Sequence, residues 1–282
     1  GAAVTVLEAA KPLAKEDSEC AAVVLDQLAR EGVVIRSGVK IARVVRSGAG
    51  VSVVIAPDGS EEAIEGSHLL FATGRRANLS ELGLKAAGIR YDPRGVRVNR
   101  KLKTRNRRVY AIGDAVQGGL QFTHVANYHA GLVIRNALFR LRVNARKGLI
   151  PWVTYTDPEL AQVGLQEAEA RRRYRQIRVL RWPFHENDRA QTQRELHGHI
   201  KVITRKNGRI LGATIVGPEA GELITTWALA ISQGLKVSAF LGLIIPYPTL
   251  SEVGKRAALT YYAGSVGSPM LRRVIRFLRI FG

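Results

Sequence analysis

The sequence predicts a mixed fold in which an α/β part is followed by an α+β part, and three patterns support this prediction. Residues 3–35 alternate strand, helix and strand, with lengths that suit a crossover between two parallel strands. Residues 40–46 and 51–56 alternate apolar and polar side chains on either side of a glycine-rich turn, which indicates antiparallel strands. Residues 198–203 alternate in the same way and indicate a strand of a second sheet.

Composition indicates a globular protein with room for about two domains. Hydrophobic residues make up 46% of the 282 residues, which is enough to form a core and excludes intrinsic disorder. No apolar stretch reaches the ~18–20 residues of a membrane span and no signal-peptide pattern is present, so we expect a cytoplasmic protein. The single cysteine, Cys20, excludes an internal disulfide, a zinc site built on thiolates and a dithiol redox centre within this chain.

The chain is strongly basic, with 43 Lys and Arg residues against 23 Asp and Glu residues and a formal charge of +20. This charge suits an anionic partner such as a nucleic acid or a membrane surface, but arginine-rich usage is also a compositional habit of some genomes. A nucleic-acid-binding protein needs a recognisable module or clustered basic residues with stacking aromatic side chains, and the sequence has neither. We therefore expect no nucleic-acid partner.

The first elements are a strand at 3–7, a helix capped by Asp17 and ended by Gly32, and a strand at 33–35. Because a buried parallel strand needs neighbours on both sides, we expect the chain to be the C-terminal portion of a longer protein. Residues 68–74 predict a strand that returns to the parallel sheet, and residues 109–112 predict another strand that ends at Gly113 and Asp114.

Five segments, taken in order, carry a resemblance to one protein family. They are the strand end at Glu8, Leu70-Phe71-Ala72-Thr73-Gly74, Tyr110-Ala111-Ile112-Gly113-Asp114, Trp152-Val153-Thr154-Tyr155 and Pro246-Tyr247-Pro248-Thr249. In this order they resemble the class I pyridine nucleotide–disulfide oxidoreductases, flavoproteins that include dihydrolipoamide dehydrogenase, glutathione reductase and mercuric reductase. The resemblance extends from residue 1 to about residue 263.

The resemblance implies partial FAD/NAD(P)-binding Rossmann-like domains followed by an FAD/NAD-linked reductase dimerisation domain. The expected segments are the C-terminal part of the NAD(P)-binding domain at 1–76, an FAD-binding segment at 77–148, the dimerisation domain at 149–263 and a basic amphipathic tail at 264–282. The implied function is electron transfer from NAD(P)H through FAD to a small-molecule acceptor at a homodimer interface. Because the Gly-rich loops and the cysteine pair are absent, we expect this chain alone to be inactive, and the alternative is a non-catalytic dimerisation remnant.

The resemblance also implies cofactor-binding residues. Glu8 ends a strand where an acidic side chain binds the ribose hydroxyls of NAD(H), although Lys11 close by keeps NADP(H) possible; the alternative for Glu8 is a solvent-exposed residue. Asp114, after Gly113, is expected to bind the ribityl chain of the flavin. The remaining expected cofactor contacts are the dinucleotide-facing run Ala72, Thr73 and Gly74 and the flavin-facing helix start at Phe122, Thr123 and His124, where backbone amides suit a negative charge. His124 and His129 are interpreted as helix-surface residues.

Tyr247 and Glu252 are the expected catalytic pair. In dihydrolipoamide dehydrogenase and glutathione reductase a histidine precedes the Pro-Thr pair and acts as acid and base, whereas this chain has Tyr247, with Glu252 expected to orient it. Tyrosine is a poor base near neutrality, so lipoamide and glutathione are doubtful substrates. Tyrosine at this position resembles the mercuric reductase branch, but the tail lacks that branch's cysteine pair. The electron acceptor stays open.

No metal site is expected, because His185, His197 and His199 have no cysteine or tight carboxylate set beside them. The tail places apolar residues on one helical face and arginines on the other. This pattern suits either packing against the dimerisation domain or peripheral contact with an anionic membrane, and packing is the preferred interpretation. The apolar residues are Leu271, Val274, Ile275, Leu278 and Phe281, and the arginines are Arg272, Arg273, Arg276 and Arg279.

Overall fold

The computed structural model describes residues 1–56, 59–266 and 269–281. Tail residues 267, 268 and 282 therefore lie outside the described residues. The chain forms two compact units, one from Gly1–Leu69 together with Pro151–Gly282 and the other from Leu70–Ile150. None of the helices in the described ranges is both long and apolar enough to span a bilayer.

The first unit begins with the predicted strand–helix–strand arrangement. Strand β1 (Thr5–Glu8) runs parallel to β2 (Val34–Ser37), and helix α1 (Ser18–Arg30) connects them. The side chain of Asp17 accepts hydrogen bonds from the backbone amides of the first turn of α1 and caps it as predicted. Three strands follow in antiparallel order: β3 (Ile41–Ser47), β4 (Gly50–Ile55) and β5 (Glu62–Gly66).

The prediction of a strand at 68–74 is wrong, because this described segment forms no strand. The side chains of Leu70 and Phe71 are 87% and 70% exposed. A parallel strand forms only against hydrogen-bonding neighbours, and among the described strands β1 and β2 pair only with each other.

A five-stranded antiparallel sheet forms the centre of the first unit. Its strands are β8 (Trp152–Thr154), β9 (Glu159–Gly164), β10 (Ile177–Pro183), β11 (His199–Arg205) and β12 (Ile210–Gly217), in the spatial order β10-β11-β12-β9-β8. The predicted strand at 198–203 is thus confirmed as β11. The helices of this region are α3 (Glu167–Arg173), α4 (Asp188–Gln193), α5 (Ala220–Ser232), α6 (Glu252–Val266) and α7 (Pro269–Leu278).

Helices cover both faces of this sheet, because successive side chains of a strand point to opposite faces. Leu160 and Val216 pack against Cys20 and Val24 of α1. The opposite face contacts α5 and α6 and forms the larger core. Members of that core include Ala161, Val163, Ala213, Ile215, Ile224 and Trp227.

The second unit contains a short hairpin of β6 (Tyr91–Asp92) and β7 (Gly95–Val96) and the helix α2 (Thr123–Ala137). The strand predicted at 109–112 is wrong, since Tyr110 makes only an isolated bridge to Lys103 before a 3-10 turn at Gly113–Ala115. The amide of Ala111 bonds locally to the carbonyl of Leu102, so this segment closes a loop instead of joining a sheet.

Candidate functional site

In the second unit, Gly113 packs closely against helix α2. Gly113 has a φ of +56°, and a Cβ placed on it would lie 2.8 Å from the Cβ of Ala126. The amide of Gly113 donates a hydrogen bond of 3.1 Å to Nδ1 of His129. Glycine is therefore required here both for its backbone conformation and for the room that α2 needs.

His129 corrects the sequence interpretation, which placed it on the helix surface. Its side chain is buried, because the Gly113 turn covers this side of α2. The sequence carried no signal for this bond, since the helical pattern alone does not reveal which loop packs on the helix. His129 is thus a positioning residue that the sequence analysis missed: it holds the turn from which Asp114 projects.

Asp114 is exposed and directly follows Gly113, which packs against Ala126 in the first turn of α2. Within the described part of the chain, the Asp114 carboxylate makes no hydrogen bond or ion pair. The N-cap position of α2 is occupied by Phe122, whose side chain provides no cap to the first amides of the helix. The Phe122 ring instead stacks on His124 in the first turn, with the ring centroids 5.3 Å apart.

The segment after the predicted dinucleotide contact approaches the same helix start. Gly74 has a φ of +109°, and the next residue, Arg75, donates a hydrogen bond of 2.5 Å to the carbonyl oxygen of Gln121. Ala72 and Thr73 are exposed. In the second unit, therefore, the residue after 72–74 contacts the segment just before α2, and the turn at Gly113–Ala115 contacts α2 itself.

This group of residues fits a flavin by its chemistry. The carboxylate of Asp114 is available to accept a bond from a hydroxyl group, and a helix N-terminus without a side-chain cap favours negative charge. Glu8 lies in the first unit, at the end of β1, where one carboxylate oxygen accepts a 2.9 Å hydrogen bond from the amide of Ala10.

Tyr247 bonds to a residue that the sequence analysis did not single out. Its hydroxyl donates a 2.7 Å hydrogen bond to Oδ2 of Asp188, the first residue of α4. This bond corrects the expectation that Glu252 orients Tyr247. Asp188 raises the pKa of Tyr247 through the hydrogen bond and through its charge, and the charge of Glu252 adds to the rise. The two partners are 59 positions apart, so no local spacing could have indicated the pair.

A buried group of charges joins α1 to the five-stranded sheet. The amine of Lys201 lies 2.9 Å from carboxylate oxygens of Asp17, Glu19 and Glu167, and its side chain is only 4% exposed. Burial lowers the pKa of Lys201, but the three carboxylates outweigh burial and raise it. Arg181 binds both carboxylate oxygens of Glu19, at 2.7 and 2.8 Å, and this bond is the main reason that the pKa of Glu19 falls to about 2.

Cys20 and His199 lie at the edge of this group, with 3.6 Å between Sγ and Nε2. Burial raises the pKa of the Cys20 thiol and lowers the pKa of His199. The thiol is fully buried and protonated, as expected for a core residue and not for a redox centre. Among the described residues, no three His, Cys, Asp or Glu side chains are arranged to hold a metal ion, His185 and His197 included.

Two family models match the chain. Residues 1–130 match the pyridine nucleotide-disulphide oxidoreductase model, and residues 150–258 match the dimerisation domain of the same family. Among curated relatives, a mercuric reductase of Staphylococcus aureus is 34% identical over 264 residues, which are 93% of this chain and 48% of that protein. A dihydrolipoyl dehydrogenase of Thermus scotoductus is 39% identical over 264 residues, covering 89% of this chain and 55% of that protein.

Solved structures give the same result. LpdA from Mycobacterium tuberculosis superimposes with a TM-score of 0.84 at 30% identity, over 90% of this chain and 55% of that chain. The HOCl-induced flavoprotein disulfide reductase RclA from Escherichia coli gives a TM-score of 0.81 at 27% identity, over 92% and 59%. The chain spans about half the length of the relatives it matches. Because family models match both of its main segments, the chain belongs to the pyridine nucleotide-disulphide oxidoreductase family.

Proposed function

We propose that this chain is the C-terminal portion of an FAD-dependent NAD(P)H oxidoreductase. In this proposal, electrons pass from a nicotinamide through the flavin to a small-molecule acceptor at the interface of a homodimer. The observation that carries the proposal is the exposed Asp114, directly after the Gly113 turn that packs against the first turn of α2, in a family of nucleotide-dependent oxidoreductases. The family match favours this function over a non-catalytic dimerisation remnant.

When bound, a flavin supplies two-electron redox chemistry between nicotinamide and acceptor. Asp114 accepts a hydrogen bond from a hydroxyl of the ribityl chain. The backbone amides at the start of α2, at Phe122, Thr123 and His124, would face the flavin ring, where a helix N-terminus favours negative charge. Gly113 and His129 hold the turn against α2, which keeps the carboxylate and the helix terminus in one fixed arrangement. Ala72, Thr73 and Gly74 line the approach to the dinucleotide.

Glu8 distinguishes the two nicotinamide nucleotides in this proposal. A carboxylate at the end of β1 accepts hydrogen bonds from the ribose hydroxyls of NADH and repels the 2′-phosphate of NADPH. The bond from the Ala10 amide fixes one carboxylate oxygen. Lys11, three positions after Glu8, favours NADP(H) instead.

Tyr247 is proposed to supply a proton to the acceptor. The carboxylate of Asp188 accepts its hydroxyl hydrogen and raises its pKa, and Glu252 adds to this effect by charge. Tyr247 is therefore protonated near neutral pH, so it carries a proton that it can donate but does not act as a base. The side chain is 69% exposed and thus accessible to a molecule from outside the subunit.

Two further parts of the proposal concern location and contacts. A cytoplasmic location is consistent with the buried, protonated thiol of Cys20 and with the absence of any other cysteine from the chain. The residues at 264–282 are proposed to make a peripheral membrane contact.

The experiment that tests the redox proposal uses the parent protein under anaerobic conditions. Mixing with NADH should bleach the flavin absorbance, faster than mixing with NADPH at the same concentration. The variant Glu8→Arg should move this preference towards NADPH, whereas Glu65→Arg, an exposed glutamate of β5, should leave it unchanged. Flavin that neither nucleotide reduces would refute the redox function, and an unchanged preference in Glu8→Arg would refute the ribose contact.

A further inference from the structure

Helix α7 (Pro269–Leu278) buries none of its side chains against the rest of the described chain. At 100° per residue its apolar side chains occupy a continuous arc of about 160°. These side chains are Met270, Leu271, Val274, Ile275, Phe277 and Leu278, and their exposed fractions range from 37% for Leu271 to 78% for Met270. The packing against the dimerisation domain that was preferred on sequence grounds is therefore not seen among the described residues.

The opposite side of α7 is formed by arginines. Arg272, Arg273 and Arg276 lie within the helix, and Arg279 follows it on the same side. The sequence from 264 to 282 contains no acidic residue. The helix therefore combines an apolar face with a positively charged face, which is the pattern of helices that lie in a membrane–water interface.

We propose that α7 lies along the surface of an anionic lipid bilayer. Its apolar face enters the boundary between headgroups and acyl chains, and its arginines bind the lipid phosphates. Guanidinium groups suit this position because they form paired hydrogen bonds with phosphate oxygens. This inference deepens the peripheral membrane contact proposed above and rests on it, but it does not depend on flavin or nucleotide binding.

Charge decides between this partner and the alternatives. An α7–α7 contact with a second copy covers the apolar face but leaves the arginines without an anionic partner, because residues 264–282 of that copy contain no acidic residue either. A nucleic acid attracts the arginines but offers no apolar phase to Leu271, Ile275 or Phe277. An uncharged bilayer accepts the apolar face but does not attract the arginines. Near an anionic surface, each arginine raises the affinity about fivefold.

Flotation of the 282-residue chain with lipid vesicles tests the proposal. Binding is expected to vesicles of phosphatidylcholine that contain phosphatidylglycerol, and much less to phosphatidylcholine alone. The triple variant R272Q/R273Q/R276Q should lose affinity on the order of a hundredfold, by removal of three such contributions. The matched control R105Q/R107Q/R108Q removes three exposed arginines from the other unit and should bind nearly as well as the unchanged chain. The variant I275S/F277S, which keeps all charges, should also lose binding.

Three results would overturn the proposal. The first is no binding of the unchanged chain to anionic vesicles. The second is an equal loss of vesicle affinity in R272Q/R273Q/R276Q and in its control R105Q/R107Q/R108Q. The third is full binding by I275S/F277S. A chain that sediments as a dimer and becomes monomeric in I275S/F277S, without vesicle binding, would show that a second copy covers α7 instead. Because flotation requires neither flavin nor nucleotide, its outcome is separate from that of the redox experiment.

Discussion

The amine of Lys201 lies 2.9 Å from Oδ2 of Asp17, although the two residues are 184 positions apart along the chain. Asp17 also caps α1, so one carboxylate both starts the helix and binds it to β11. A second contact supports the same arrangement, because the indole nitrogen of Trp152 donates to both carboxylate oxygens of Glu16, at 3.0 and 3.1 Å. The β1–α1–β2 segment is thus part of the same compact unit as the five-stranded sheet.

Replacing Lys201 tests the importance of this charge group for stability. Lys201→Met leaves three carboxylates close together without their shared cation, and the expected loss is about 3–5 kcal/mol of unfolding free energy. Urea denaturation of the 282-residue chain measures this loss. Lys206→Met, at an exposed position, is the control and should change stability by less than about 0.5 kcal/mol. Adding Asp17→Asn to Lys201→Met should recover part of the loss, and purely additive losses would contradict the direct pairing.

The low pKa of Glu19 predicts an acid-sensitive component of stability. Its pKa is about 2 in the folded chain against an ordinary value of 4.5, so the folded state favours the ionised carboxylate. The resulting stability is fully present above about pH 4.5 and is lost as the pH falls from there towards 2. Arg181→Met removes the main cause of the shift, so the stability difference between the unchanged chain and this variant should shrink across that window. A difference that stays constant from pH 7 to pH 2 would contradict the assignment.

The pair of Tyr247 and Asp188 predicts a change in the pH dependence of turnover. Tyr247→Phe removes the proton donor and should reduce kcat of the parent protein by about 10²–10⁴-fold. Asp188→Asn keeps the hydroxyl but removes the charge that raises its pKa, so the alkaline limb of the pH–rate profile should move to lower pH. Glu252→Gln should move the limb the same way by less, because Glu252 contributes the smallest of the causes. An alkaline limb that does not move in Asp188→Asn would exclude Tyr247 as its origin.

Local signals in the sequence predicted the local structure well. The structure confirms the Asp17 cap, the end of α1 near Gly32 and the strands β3, β4 and β11 that alternating side chains predicted. Each of these features depends on residues that are close together in the chain. The strand at 68–74 was wrong because strand formation depends on neighbours, which the segment's own composition does not reveal.

In the candidate sites as well, contacts between distant residues could not be predicted from the sequence. Asp114 and the start of α2 could be proposed from the sequence, but the buried bond between Gly113 and His129 that holds them could not. Likewise, Glu252 was expected to orient Tyr247 because it is five positions away, whereas the hydroxyl bonds to Asp188. Contacts across long separations depend on tertiary packing, and neither spacing nor helical pattern encodes them.

The most direct test of the proposed function is the flavin affinity of the parent protein after replacement of Asp114. Asp114→Asn preserves the size of the side chain but removes the charge, whereas Glu81→Gln makes the same change at another exposed position of the same unit. Losing a charged hydrogen bond of about 1.5–3 kcal/mol corresponds to roughly a tenfold to hundredfold weaker affinity. The flavin absorbance of the purified proteins measures their flavin content, and titration of the flavin-free forms with FAD measures the affinity. We predict a flavin-poor Asp114→Asn and a fully flavinated Glu81→Gln; equal flavin content and equal affinity in the two variants would contradict the account.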